Sequence, residues 1–299
     1  MMQDIQKTSP DARQEFAFSD RDFRMISELA NARYGLFLQP SKKALVHSRL
    51  AKRLRALNLG SFEDYCDLLN RTEGDSEQTH LLSALTTNVT HFFREVHHFE
   101  YLKTVIAPTL TAKAKSGDAV RLWSAACSTG QEAYSIAATL LDIDPELRKY
   151  DVKILATDID PQVVKTARDG LYPAEQIQAI PENWCRCLTR VATARADEFE
   201  MDNALKAMIS FGELNLIADW PMQRCFDVIF CRNAAIYFDK TTQARLWQRF
   251  AAALGNDAHL MIGHSERLSG PAEADFKSVG ITTYQKQTTN KHRDKGDEN

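Results

Sequence analysis

Phe226-Asp227-Val228-Ile229-Phe230 runs directly into Cys231-Arg232-Asn233-Ala234-Ala235-Ile236-Tyr237-Phe238-Asp239. The first five residues read as a strand buried on both faces, the form taken in parallel sheets. Ending such a strand in Arg-Asn, with Tyr and Asp just beyond, puts polar groups at the carboxyl edge of the sheet. Open α/β folds bind ligands at that edge. The same rhythm repeats outward from this stretch. Residues 120–126 read as a strand and 131–141 as a helix; 152–156 read as a strand ending in Thr157-Asp158, before a helix opened by Pro161. A helix over 241–254 and strands at 259–263 and 281–285 follow. Strands alternating with helices predict right-handed βαβ units and an α/β class with a mostly parallel sheet. Residues 188–211 break the rhythm; 198–201 and 207–211 read as short strands of a small inserted β-element.

Upstream of residue 110 the pattern is helical. Ser19 and Asp22 form a capping box ahead of Phe23, Ile26, Leu29 and Ala30, and Gly35 is a stop signal. A second helix over 41–58 puts Val46, Leu50, Leu54 and Leu57 on one face; Ser61 and Asp64 open a third, and 76–86 form a fourth. Short helices without strand signals predict a small bundle. The expected partition is a flexible N-terminus (1–17), an all-α domain (18–87), and a linker with a connecting helix (88–116). An α/β domain (117–286) follows, with its β-element at about 188–212, then a polar, disordered tail (287–299).

At 299 residues, 44% hydrophobic and 26% charged, the chain has the composition of a soluble globular protein. A net charge of −3 does not suggest a dedicated nucleic-acid binder. No apolar run reaches the ~18–20 residues that span a bilayer, and the first fifteen residues are unlike a secretory signal. Six cysteines occur without a C-x-x-C pair, which reads as reduced thiols in a cytoplasmic protein and predicts no metal centre. His91, His97 and His98 read as surface or packing residues, and the four tryptophans as packing residues.

Three strand ends carry chemistry. After the first comes Ser124-Ala125-Ala126-Cys127-Ser128-Thr129-Gly130-Gln131-Glu132, whose small residues admit a ligand to the next helix N-terminus. The second ends in Asp158, where an acid accepts hydrogen bonds from ribose hydroxyls. The third is the Arg232-Asn233 edge. Each has an ordinary reading too: a plain βα turn, or Asp158 or Asp160 capping the next helix. Together they describe a nucleoside site without a phosphate-binding loop. S-adenosylmethionine suits such a site, with Glu132 pairing its ammonium.

Thr87-Asn88-Val89-Thr90-His91-Phe92-Phe93-Arg94-Glu95, residues 123–135, Ala156-Thr157-Asp158-Ile159-Asp160, residues 230–239 and Gly263-His264-Ser265-Glu266 follow in order over roughly 18–286. In these segments the chain resembles the bacterial chemotaxis receptor glutamate methyltransferases, the CheR family. The resemblance implies a Rossmann-like S-adenosylmethionine-dependent methyltransferase domain with an inserted β-subdomain, preceded by a helical bundle. It implies that Asn88, Thr90 and Arg94 reach the cofactor, Glu132 meets its amino-acid end and Asp158 its ribose. Asn215 and Leu216 would flank the adenine, and Arg232 and Asn233 would complete the pocket. Arg94 and Tyr237 would face the methyl group and the incoming carboxylate. Relatives commonly have Gly-Glu-Glu-Pro-Tyr-Ser where this chain has Gly130-Gln131-Glu132-Ala133-Tyr134-Ser135, and a bulkier apolar pair in place of Ala234-Ala235.

The implied reaction is direct in-line transfer of methyl to a receptor glutamate, yielding a methyl ester and S-adenosylhomocysteine. A glutamate with a pKa near ~4.3 is already ionised at neutral pH and needs no general base. Lys42, Lys43, Arg49, Lys52, Arg53 and Arg55 lie along the second helix with no intervening acid. They are either a solvated face or a docking band for an acidic receptor coiled coil; nucleic acid is the competing partner. A monomer is expected. The same residues also suit two rival functions: a non-catalytic cofactor-binding signalling adaptor, and a nucleic-acid methyltransferase.

Overall fold

Capping decides where the helices begin. Helix α1 (Asp20–Tyr34) opens on the expected box: Ser19 N–H donates to the Asp22 carboxylate at 2.8 Å, and Asp22 N–H to Ser19 Oγ at 3.1 Å. Ser61 does the same for α3 (Phe62–Leu69), accepting from Asp64 N–H. The computed structural model describes residues 16–71, 75–178, 180, 184, 190–192 and 197–288. Residues 1–15 and 289–299, Cys185, Cys187 and residues 188–189 and 193–196 of the expected insertion lie outside the described residues. The chain divides into two compact units. One holds the described residues up to Ala30 with Leu38–Leu85; the other holds Asn31–Phe37 and the chain from Thr86.

The first unit is all helical: most of α1, α2 (Lys43–Ala56), α3 and α4 (Asp75–Leu85). Ile26, Val46, Leu50, Leu54, Phe62, Tyr65 and Leu81 form its buried side, as the helical spacing predicts. The second helix starts later than 41 because Pro40–Lys42 form a tighter 3₁₀ turn ahead of it.

In the second unit, α5 (His97–Tyr101) continues through one π-helical turn, Leu102–Ile106, into α6 (Ala107–Lys115). That widened turn lies just before Pro108, which has no N–H to donate to an ordinary ladder. The main sheet has seven strands, β1 (Val120–Ala125), β2 (Val152–Asp158), β6 (Ile209–Glu213), β7 (Phe226–Cys231), β8 (Leu254–Ile262), β9 (Phe276–Gly280) and β10 (Thr283–Lys286), in the order β6-β2-β1-β7-β8-β10-β9. β1 lies parallel between β2 and β7, and β8 runs parallel to β7. β10 and β9 complete that edge as antiparallel strands. The chain winds to one side of β1 through β2 and β6, then returns to the other side at β7. The β1/β7 boundary is therefore the topological switch point where such sheets bind ligands.

Side chains alternate across β1. Trp123 points to the face packed by Phe226, Ile229, Trp247 and Phe250, whereas Val120 and Leu122 join the opposite core with Ile136 and Leu140 of α7 (Gln131–Ile143). The Trp123 indole donates to Thr157 Oγ1 at 2.9 Å, so this large side chain is buried with its polar group satisfied.

One expectation is corrected. Residues 207–211 do not belong to the inserted element. Asn203–Met208 is helical, and β6 (Ile209–Glu213) lies parallel to β2 as an edge strand of the main sheet, with Ile154 opposite Ile209 and Asp158 opposite Glu213. The smaller sheet begins earlier than 188: it comprises β3 (Leu171–Pro173), β5 (Glu198–Met201) and β4 (Arg190–Ala192), with β5 in the middle. Helix α8 (Pro161–Asp169) ends at Gly170, whose φ of 64° turns the chain into β3.

Candidate functional site

The loop leaving β1 makes three left-handed turns within five residues, at Ala126 (φ 64°), Ser128 (φ 50°) and Gly130 (φ 96°). A Cβ on Gly130 would lie 2.8 Å from Ala167 Cβ and 3.0 Å from the Tyr172 hydroxyl, so both conformation and space demand glycine. Hydrogen bonds hold the loop. Ser128 N–H donates to Asp158 Oδ2 at 2.8 Å, and its hydroxyl donates to the Asn88 carbonyl at 2.9 Å.

Asp158 and Asp160, interchangeable by sequence, have separate tasks. Asp160 caps α8 by accepting from Gln162 N–H at 2.9 Å, and its other oxygen accepts from Asn88 Nδ2 at 3.2 Å. Asp158 does not cap: it accepts from Ser128 N–H and from Asp160 N–H at 3.1 Å. A carboxylate has acceptor capacity beyond those two bonds, which a ribose hydroxyl can use. Burial pushes the Asp158 carboxyl up from its ordinary range, partly offset by these backbone N–H bonds.

Glu132, in the first turn of α7, is buried. It accepts from the Ser124 hydroxyl at 2.7 Å and from Arg232 Nη1 at 3.0 Å. Arg232 reaches back from the end of β7. Its Nη2 donates to the Arg94 carbonyl and lies 3.4 Å from Glu95 Oε2, with the guanidinium over the Phe99 ring at 5.7 Å. Burial pushes the Glu132 carboxyl up, opposed by Arg232 and Ser124. Burial also acts to raise Glu95, but Arg232 and hydrogen bonds from His264 outweigh it and hold that group at about 2. His264 Nδ1 lies 2.9 Å from Glu95 Oε1.

The other expected residues divide into two groups. Arg94 is half-buried, its Nη1 donating to the Val89 carbonyl at 3.0 Å. Asn233 has φ 59° and donates its N–H to Glu266 at 2.9 Å, while the Tyr237 hydroxyl donates to the Thr87 carbonyl at 3.3 Å. These lie around the ends of β1 and β7, as does Asn88; Thr90 is half-buried between Asn88 and Arg94. Asn215 and Leu216 have other commitments. The Asn215 amide donates to the Arg33 carbonyl at 2.9 Å and accepts from Ile217 N–H at 3.1 Å, and Leu216 packs in the core with Trp123 and Ala125. Gln131, a departure from the commoner acid, exchanges hydrogen bonds with Thr129 and Gln176.

Ser124, Glu95, His264 and Glu266, which no spacing in the sequence marks, each lie inside the segments that carry the family resemblance. Among the described residues, Glu95, His97 and His98 bring ligand atoms within 4.8 Å of one another, the spacing of a metal site. The Arg232 guanidinium already occupies the cationic position beside Glu95. The His98 ring is buried, its Nε2 3.0 Å from Thr282 Oγ1, and burial holds its pKa at about 3.

Within the first unit, the basic helix face splits. Arg53 forms a two-point ion pair with the buried Glu77, at 2.9 and 2.5 Å, and Tyr65 donates to the same carboxylate at 2.9 Å. Arg49 donates to the Ala84 and Leu85 carbonyls at the end of α4, and Lys43 pairs with Asp20 at 2.6 Å. Lys42, Lys52 and Arg55 remain exposed.

The donor set fits S-adenosylmethionine. Glu132 and Glu95 flank the Arg232 guanidinium, and Asp158 and Asp160 stand at the end of β2 beside the loop that leaves β1, an acid-rich edge suited to a ligand carrying ammonium and sulfonium charges.

Residues 88–285 match the family model described as CheR methyltransferase, SAM binding domain, and residues 21–86 match CheR methyltransferase, all-alpha domain. A probable chemotaxis protein methyltransferase of Rhizobium etli is 48% identical, over 85% of this chain and 95% of its own. Chemotaxis protein methyltransferase 2 of Pseudomonas aeruginosa is 41% identical over 91% of this chain and 95% of its own, and the Escherichia coli chemotaxis protein methyltransferase 39% over 91% and 92%. With both family models matched in order and the acid-lined switch point in place, the chain belongs to the CheR family of S-adenosylmethionine-dependent methyltransferases.

Proposed function

We propose that this methyltransferase forms glutamate methyl esters on chemotaxis receptors, adjusting sensory signalling by direct in-line transfer. The observation that carries this reading is the hydrogen-bonded chain Glu132–Arg232–Arg94. It joins the acid assigned to the cofactor's amino end to the backbone of Arg94, whose side chain is assigned to the incoming carboxylate. When bound, S-adenosylmethionine supplies an electrophilic methyl group on a sulfonium. Glu132 binds the ammonium, Asp158 the ribose, and Asn88, Thr90, Arg232 and Asn233 close the pocket. Asn215 and Leu216 border the adenine through the turn they form, since their side chains are engaged elsewhere.

The incoming glutamate is ionised at neutral pH, so the protein's task is alignment and exclusion of water. Arg94 orients the carboxylate from a guanidinium anchored at the Val89 carbonyl, and Tyr237 packs beside the methyl group. Labelled methyl should pass from the cofactor to receptor-containing membranes and be released as methanol in mild base. Base-stable label would point to nitrogen methylation, and cofactor binding without any transfer to an adaptor. Arg94→Ala should lower kcat by about 10²-fold, the scale of a misplaced reacting group. Tyr237→Phe, losing one hydroxyl contact of ~1 kcal/mol, should cost about five-fold. Full turnover in both variants would remove these roles.

The receptor coiled coil docks on α2 and the turn before it, through Lys42, Lys52 and Arg55. Reversing these three charges should raise KM for receptor membranes several-fold at unchanged cofactor affinity, with a steep salt dependence in the parent enzyme. Reversing Arg53 should instead unfold the helical unit, because Glu77 would lose its buried partner. Unchanged KM in the triple variant would move docking off this helix. The enzyme works as a monomer in the cytoplasm; among the described residues no helix is long and apolar enough to cross a membrane.

A further inference from the structure

Among the described residues, eight large hydrophobic side chains stand exposed, and three of them lie on segments next to Tyr237 or bonded to it: Val89 (74% exposed), Phe37 (52%) and Ile236 (48%). Backbone bonds fix this grouping. Phe37 N–H donates to the Tyr237 carbonyl at 2.8 Å, and Leu36 bridges Phe238. Ile236 precedes Tyr237 on a turn whose N–H is held by Glu266 at 3.3 Å. The Tyr237 hydroxyl bonds the Thr87 carbonyl, two residues before Val89, and the Val89 carbonyl receives the Arg94 guanidinium. Single exposed hydrophobics are ordinary on a soluble protein and need no explanation. Three on segments tied by hydrogen bonds to Tyr237 or Arg94, the residues assigned to the methyl group and the incoming carboxylate, are a grouping that calls for a role.

Resting on the function proposed above, we infer that Val89, Phe37 and Ile236 form a selectivity rim for the protein substrate, one that accepts a helical segment whose reacting glutamate is flanked on the same face by apolar side chains. Charge complementarity commits the rim to that occupant. Arg94 draws the carboxylate inward, while a partner acidic on all sides would leave three apolar groups facing charge. On a helix, residues three and four positions from the glutamate lie about 5–6 Å from it. That spacing lets neighbouring side chains cover the rim while the carboxylate enters beside Arg94. The rim should therefore govern which of several exposed glutamates reacts, through KM rather than through the chemical step.

The test uses the full chain and receptor membranes. Val89→Ser/Phe37→Ser/Ile236→Ser should raise KM about ten-fold, as expected for partial burial of three apolar side chains. Its kcat and cofactor affinity should stay within two-fold, and the control Val105→Ser should leave KM unchanged. In parallel, changing the apolar residues three and four positions from the modified glutamate to Asn in the receptor should raise KM for the parent enzyme. Those receptor changes should have little further effect on the rim variant, since both remove the same contacts. Wild-type KM in the variant, or fully additive effects of the two sets of changes, would overturn the rim while leaving glutamate methylation intact. Absence of any base-labile ester with the parent enzyme would instead overturn the function on which the rim rests.

Discussion

Arg232→Ala should lower the free energy of unfolding by about 3–5 kcal/mol, the usual cost of removing one partner from a buried ion pair. The Arg232 side chain is 2% exposed and is held by Glu132 at 3.0 Å and Glu95 at 3.4 Å. Without it, Glu132 keeps only the Ser124 hydroxyl, and Glu95 keeps only its contacts on the histidine side. Two carboxylates would then share a buried space without a counter-ion. Arg232→Lys should recover only part of the loss. A single ammonium cannot reproduce a fork that meets Glu132, Glu95 and the Arg94 carbonyl together. Arg232→Met with Glu132→Gln should be more stable than Arg232→Met alone, because it removes one of the two stranded charges and the repulsion between them. Urea unfolding at neutral pH would read this as a fall in midpoint at constant slope. A loss below about 1 kcal/mol would mean that Arg232 is solvated rather than locked between acids.

The parallel core was legible because its strands are continuous apolar runs punctuated by helices, and that pattern survives without tertiary information. What one sequence does not record is the partner of a short strand. Ile209–Glu213 has the same pattern whether it joins a small antiparallel sheet or the edge of the main one; its pairing with β2 depends on residues more than fifty positions away. β9 (Phe276–Gly280), exposed at most of its positions, carried no readable pattern at all. The site divides along the same line. Glu132, Asp158 and Arg232 stood out because they end or follow buried strands, whereas residues 88–94 acquired a role only through family resemblance. Arg49 and Arg53 read as displayed charges because the partners that turn them inward, the end of α4 and Glu77, lie on a different helix. Glu95 and Glu266 gave no signal for a related reason. A carboxylate that serves distant N–H groups or a distant guanidinium leaves no spacing in the sequence.

Glu266 is where that hidden role has its largest consequence. Its Oε2 accepts from Gly263 N–H at 2.6 Å and Asn233 N–H at 2.9 Å, and its Oε1 accepts from Ile236 N–H at 3.3 Å. One side chain thereby joins the end of β8 to the turn that carries Asn233, Ile236 and Tyr237. Asn233 sits at φ 59°, a left-handed conformation that asparagine adopts more readily than most residues with a Cβ, and Glu266 holds its N–H there. Gly263 leaves no spare room, since a Cβ there would lie 2.7 Å from Asn233 Nδ2 and 2.9 Å from the Glu266 carboxylate. Glu266→Ala should therefore cost about 2–4 kcal/mol, because each buried donor left unpaired costs ~1–3 kcal/mol and water can reach the more open Ile236 N–H. Catalysis should fall further than stability alone explains, as Asn233 and Tyr237 lose their common anchor. Glu266→Gln supplies the discriminating comparison. Its amide oxygen can still accept from Gly263 and Asn233, while its NH₂ would face the Ile236 N–H and lose that one bond. The expected order in unfolding midpoint and in kcat is parent, then glutamine, then alanine, with cofactor affinity following the same order. If glutamine were as damaging as alanine, the role would rest on the negative charge rather than on the acceptor geometry; if alanine were harmless, Asn233 and Tyr237 would be held by something other than Glu266.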